Sequence, residues 1–178
     1  MFTAESIPHL IHLLEKRNVY LYHACQYQDF CAYLALGGIP SRQHMEQNHR
    51  FLTPFTTDAN DKENGVWDKI FFNLDDFGKA FARGRNATPN AYGPILFRFK
   101  PAALAEAIDV AICLRSAGAR GFKRDEEALP SIADVNALFY YPPDHKYGAA
   151  YLKFGEQLQK RFGSKAQAVE MSCTLPEG

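Results

Sequence analysis

The chain reads as an α+β domain, and three observations carry that reading. Apolar residues at helical spacing cluster early, short strands rich in β-branched and aromatic residues are scattered through the rest, and no repeat or linker divides the chain. Its 178 residues suit one sizeable core, so residues 1–178 are read as a single domain.

The elements follow in order. Ile7, Leu10, Ile11 and Leu14 recur at helical spacing after Ser6, with Pro8 in the first turn, and predict an amphipathic opening helix. Val19–His23 predicts a short strand. Tyr27, Phe30, Cys31 and Leu34 mark a second helix that Gly37-Gly38 stops, and Ser41–Asn48 suits a third. Phe51–Val66 reads as a long polar loop and Lys69–Leu74 as a strand. Asp75 or Asp76 caps a short helix through Phe81, and Ala82–Gly93 is a loop. Pro94–Phe99 predicts a strand, Pro101–Ala107 a short helix with Pro at its start, and Asp109–Leu114 a buried strand. Ser116–Pro130 reads as a polar loop and Ser131–Phe139 as a helix. Tyr151, Phe154, Leu158 and Phe162 line a last helix, and Ala166–Cys173 is a last strand.

Composition narrows the function classes. Twenty basic residues balance twenty acidic ones, which argues against nonspecific coating of duplex nucleic acid. Cys25, Cys31, Cys113 and Cys173 form no C-x-x-C pair, and four reduced thiols are expected. The first residues lack the basic and apolar regions of a signal peptide, and no apolar run approaches the ~18 residues of a membrane span. A cytoplasmic protein is expected. The histidines have neither finger nor zincin spacing, so no metal site is expected. A phosphate loop, a dinucleotide fingerprint and a G-x-S-x-G elbow are also missing.

What remains is a positional pattern. His23 closes an early strand, a helix and Gly37-Gly38 follow, and Glu170 stands in the final strand. In that strand Val169 and Met171 alternate with Ala168, Glu170 and Ser172, and periodicity alone reads Glu170 as a surface residue. On their own terms, His23 also reads as a structural histidine, Gly37-Gly38 as a helix cap, and Arg42 and Arg50 as solvated charges.

The stretch Val19–Arg42 (VYLYHACQYQDFCAYLALGGIPSR) resembles the opening motif of the DarT-like ADP-ribosyltransferases. Asp68–Asp76 is similar to the aromatic strand that follows in that family, Tyr92–Phe99 to the next strand, and Ala168–Cys173 to the terminal strand with its catalytic glutamate. The likeness spans most of the chain in the same order. Where family members often carry His-x-Thr, this chain has His23-Ala24-Cys25.

The resemblance implies a split mixed β-sheet flanked by helices, NAD as co-substrate, and cleavage of the nicotinamide–ribose bond. Positive charge then develops on the ribose. A carboxylate aimed there stabilises it, and Glu170 takes that role. Glu170 would also hydrogen-bond a ribose hydroxyl and help deprotonate the attacking group. His23, with Ala24 and Cys25 beside it, would fix the cofactor's pose. Arg50, or else Arg42, would pair with the pyrophosphate. Phe72 or Tyr92 would stack on the nicotinamide, and Gly37 and Gly38 would admit backbone close to the ligand.

The family modifies bases in nucleic acid, so single-stranded DNA or RNA is the implied acceptor. A toxin or phage-defence role with a macrodomain-type antitoxin follows from the same likeness. Arg115, Arg120, Lys123 and Arg124, with Phe139, Tyr140, Tyr141, Tyr147 and Tyr151 after them, suit a splayed strand and equally a solvated loop over an aromatic helix. Two alternatives stand beside this reading: an NAD glycohydrolase that uses water as acceptor, and a noncatalytic nucleotide- or nucleic-acid-binding module.

Overall fold

The computed structural model describes residues 1–50, 52–74, 92–140, 151–152 and 170–176. The expected helix at Asp75–Phe81, nearly all of the Ala82–Gly93 loop, most of the last helix and the first part of the last strand lie outside these residues.

The elements run β1 (Phe2–Thr3), α1 (Ile7–Lys16), β2 (Leu21–Cys25), α2 (Tyr27–Leu36), α3 (Arg42–Gln47), α4 (Asp58–Glu63), β3 (Ile70–Asn73) and β4 (Ile95–Phe99). A 3₁₀ turn (Pro101–Leu104), β5 (Asp109–Cys113), α5 (Arg124–Glu127), α6 (Ile132–Asn136), β6 (Phe139–Tyr140), β7 (Tyr151–Leu152) and β8 (Glu170–Thr174) complete them. The α+β expectation holds. Six strands form one sheet in the order β1-β5-β8-β3-β2-β4, and β6 pairs with β7 in a second, small sheet. Every pairing among the described strands is antiparallel, where a mixed sheet was expected.

The sheet has two cores, one on each face. Ile70, Phe72, Val110, Ile112, Met171 and Cys173 meet Leu10 and Leu14 of α1 in the larger one. Ala111 and Cys113 meet Val66, Ala117 and Phe122 in the smaller one, with Phe71 packed against it. Ser172, at the alternate position of β8, is buried as well, so β8 is covered on both faces.

Several boundaries differ from the sequence expectations for local reasons. Asn18 has φ 52, and the Val19 amide donates to the Leu14 carbonyl at 3.0 Å. Val19 is thus spent on closing α1, and the strand starts at Leu21. In α2, Tyr27 (66% exposed), Cys31 and Leu34 (67% exposed) face outward, while Asp29 and Ala32 are buried. The Asp29 carboxylate accepts the Thr53 amide at 2.9 Å, so a polar anchor holds the inner face that the pattern gave to apolar residues.

The polar stretch Phe51–Val66 contains α4. Asp58 accepts the Phe55 amide at 3.0 Å, and the Asn60 and Asn64 side chains donate to the carbonyls of Gly118 and Ala117. Likewise, Ser116–Pro130 contains α5. There Arg115 and the buried Glu127 form a two-pronged ion pair, and Arg115 also donates to the Gly121 carbonyl at 2.9 Å. Tyr151 lies in β7, since its backbone pairs with Tyr140 and not with a helical turn.

Gly93 holds the chain against the end of β2. Its φ is 153, and a Cβ there would lie 2.1 Å from the Cys25 carbonyl oxygen. Gly93→Ala should therefore destabilise the fold by about 2–4 kcal/mol, through overpacking and backbone strain together. Chemical denaturation of the two proteins checks this; a loss under about 0.5 kcal/mol would show that the approach is not required.

Candidate functional site

Strands β2 and β3 share a single register pair, Tyr22↔Asn73. Beyond it the strands part, and the His23 side chain fills the place of a ladder bond. Its Nδ1–H donates to the Phe71 carbonyl at 2.8 Å. A carbonyl only accepts, so Nδ1 carries the proton, and Nε2 then accepts from the Tyr33 hydroxyl at 3.1 Å. Burial lowers the His23 pKa, against the opposing pull of the Phe71 carbonyl and Asp29. The ring is neutral near pH 7 and locked in one tautomer.

Two adjoining hollows open beside this ring. One, of about 120 Å³, is lined by His23, Ala24, Tyr33, Arg42, Asp61 and Phe71, among others. The other, of about 210 Å³, adds Tyr22, Asn73, Tyr92 and Ser116. His23, Ala24, Phe55, Thr57, Asp61 and Phe71 belong to both, so the two form one stepped cleft. Each part is smaller than the ~300 Å³ of a typical enclosed ligand pocket, and an elongated ligand would lie across both.

Arg42 forms the cleft's cationic wall. Its guanidinium donates to the Thr53 carbonyl at 2.7 Å and to Asp58 at 3.0 Å. It lies over the rings of both Phe55 and Trp67, 5.3 and 5.2 Å from their centroids. Among the described residues Arg42 Nε, Asp58 Oδ1 and Thr53 Oγ1 are buried without a hydrogen-bond partner. Arg50, the other candidate for the pyrophosphate, is exposed and lines neither hollow.

The remaining sequence candidates divide. Ala24 and Cys25 line the smaller hollow, but burial and then Asp29 push the Cys25 thiol up to about 11, so it is no nucleophile at neutral pH. Tyr92 is part of the larger hollow, and its carbonyl accepts from Gln26 at 3.2 Å. Phe72 lines neither hollow. It is buried in the larger core, edge-on to His23 and Phe99, and its neighbour Phe71 lines the cleft instead. A strand's alternation decides this, since only one of two adjacent residues faces a given side.

Gly37, at φ 78, caps α2, and the Gly38 amide donates to the Tyr33 carbonyl at 3.1 Å. Both line a separate groove of about 510 Å³ with Ser41, His44 and Asp68, and not the His23 cleft. A Cβ on either would meet open space, so no close approach requires them. Glu170 opens β8, and its backbone stands in register with Asn73 on one side and Cys113 on the other. Asn73 lines the larger hollow, which puts the Glu170 register position next to the cleft.

Asp61 is the residue that the sequence did not single out. Lying in the polar run DANDKE, it looks like any solvated loop carboxylate. In the fold it lines both hollows, and burial, reinforced by Asp58 and opposed by Arg42, raises its pKa from 3.8 to about 6.

No protein-family model matches the chain, and no curated protein matches its sequence.

The raised Asp61 pKa has a stability consequence with a definite sign. A carboxyl whose folded pKa exceeds its unfolded one favours folding fully below pH 3.8 and loses that contribution as pH rises through 6. Asp61→Asn should thus match the parent near pH 3.5 and exceed it at pH 7.5 by about 1 kcal/mol, discounted for partial exposure, or 2–4 °C in Tm. Melting curves at the two pH values test it; a variant less stable at pH 7.5 would refute the buried-charge penalty.

Proposed function

We propose that this chain is an NAD-dependent ADP-ribosyltransferase that acts on a base of single-stranded nucleic acid. The observation that carries the reading is the convergence of distant segments on one cleft. His23 and Ala24 on β2, Asn73 on β3 and the Glu170 register position on β8 adjoin where β2 and β3 part. These are the segments that resemble the DarT-like motif, in the same order.

In this reading NAD lies along the stepped cleft, with its pyrophosphate toward Arg42 and its nicotinamide ribose toward Glu170. Arg42 takes precedence over Arg50 because it lines the cleft and retains a buried Nε donor without a partner among the described residues. His23 acts as a positioning residue. Both its ring nitrogens are engaged, so it reaches a ligand through the Tyr33 hydroxyl, which it orients. Glu170 stabilises the oxocarbenium-like ribose as the C–N bond to nicotinamide breaks. A toxin or defence effector neutralised by a macrodomain-type hydrolase is the biological setting that this chemistry suits.

One observation favours the glycohydrolase alternative. The basic stretch has charges bound internally, with Arg115 paired to Glu127, Arg124 to Asp109 and Lys123 to Glu126. That leaves less free positive charge for a nucleic-acid backbone.

Incubation with NAD labelled in its ADP-ribose moiety distinguishes these readings. Transfer of label to a single-stranded oligonucleotide is the expected outcome, and Glu170→Gln should slow it by about 10²–10³ with an unchanged circular dichroism spectrum. Free ADP-ribose formed at the same rate with or without oligonucleotide would establish the glycohydrolase. No nicotinamide release and no NAD binding at millimolar concentration would leave the binding module.

A further inference from the structure

We infer that Asp61 is the proton acceptor for the nucleophile that enters this cleft, and that the acceptor group is therefore one that attacks as a neutral N–H or O–H. The inference rests on the reading of the cleft as an NAD-dependent transferase site, and it assigns the second half of that reaction.

Position comes first. Asp61 stands on α4, the wall that faces the sheet floor formed by Ala24, Phe71 and Asn73, and it lines both parts of the cleft. Two backbone bonds hold it there: its amide donates to Thr57 at 2.9 Å, and its carbonyl accepts from Val66 at 3.0 Å. Its carboxylate accepts no hydrogen bond from the described residues, although the neighbouring Asp58 is engaged by Arg42 and by the Phe55 amide. A carboxylate with free lone pairs, on a fixed helix, against a cleft floor is placed to receive a proton.

The other charged groups around it are committed. Asp29 of α2 accepts the Thr53 amide, and His23 of β2 is neutral with both nitrogens engaged. Lys69, ahead of β3, pairs with Asp68 and Asp109, and Arg42 of α3 pairs with Asp58. Asp61 alone among these combines access to both hollows with an uncommitted carboxylate. Its pKa of about 6 makes it ionised at neutral pH, yet more basic than an ordinary aspartate.

The step balances. The bond from the ribose C1 to the nicotinamide nitrogen breaks, and its electron pair neutralises the pyridinium. A lone pair on the acceptor nitrogen or oxygen forms the new bond to C1. The acceptor's proton passes to the Asp61 carboxylate and from there to solvent at the open mouth of the cleft. No oxidant, metal or further reactant is needed. Glu170 serves the departing side of this exchange and Asp61 the entering side.

The test is the pH profile of kcat/KM for transfer from NAD to a single-stranded oligonucleotide, for the parent, Asp61→Asn and Asp61→Glu. The parent should rise with unit slope to a plateau above about pH 6. Asp61→Asn should lose the rise and drop the plateau by about 10²–10³, with the NAD dissociation constant unchanged within threefold. Asp61→Glu should keep a pH-dependent rise. Because Asp61→Asn is expected to melt no lower than the parent, loss of fold would not account for its loss of transfer. Parent-like transfer and an unchanged rise in Asp61→Asn would overturn the inference and leave the transferase reading intact, with the ionisation then belonging elsewhere, His23 first. A parent protein that neither binds NAD nor transfers from it would overturn both.

Discussion

One hydrogen bond organises the site: His23 Nδ1–H to the Phe71 carbonyl. In a regular ladder that carbonyl would meet a backbone amide of β2. Here an imidazole intervenes, and the strands separate after Tyr22↔Asn73. The cost of interrupting a ladder is met in kind, because the carbonyl still has a donor and the ring's second nitrogen has the Tyr33 hydroxyl. The gap between two halves of one sheet thus becomes a cleft with its polar groups satisfied.

The walls of that cleft are held by unlike means. The floor is sheet, anchored by two cores on opposite faces. The opposing wall is a short, polar helix with no buried residue of its own. It stays in place through the Asn60 and Asn64 amides, the Arg42–Asp58 pair and the cation–π contacts of Arg42 with Phe55 and Trp67. Hydrophobic burial positions the floor, and directional polar contacts position the wall. A site assembled this way carries one rigid side and one that ligand charge can perturb.

Much of the fold was legible because burial writes itself into apolar spacing. Ile7, Leu10 and Leu14 marked α1, and KIFFNL and the Asp109–Leu114 run marked β3 and β5. The polar parts were not legible. Asp29 holds the inner face of α2 where an apolar residue was expected, and DANDKE has no apolar stripe from which a helix could be read. The site followed the same division. His23, Ala24, Arg42 and Tyr92 were named from their order in the chain and line the cleft. Phe72 and Gly38, named in the same way, line neither hollow, because order does not say which side of a strand or turn a residue takes. Asp61 was missed because nothing in a run of polar residues distinguishes a carboxylate that faces a cavity from one that faces water.

The exposed face of α2 has a practical side. Cys25, Cys113 and Cys173 are buried, and burial drives the thiols of Cys25 and Cys173 up to about 11 and about 12, whereas Cys31 lies in the open. A maleimide dye under mild conditions thus has one accessible attachment point in the unaltered chain. That point sits on the outer side of the helix whose inner side carries Tyr33, the partner of His23. Fluorescence from it reports on the helix that backs the cleft without a single engineered residue.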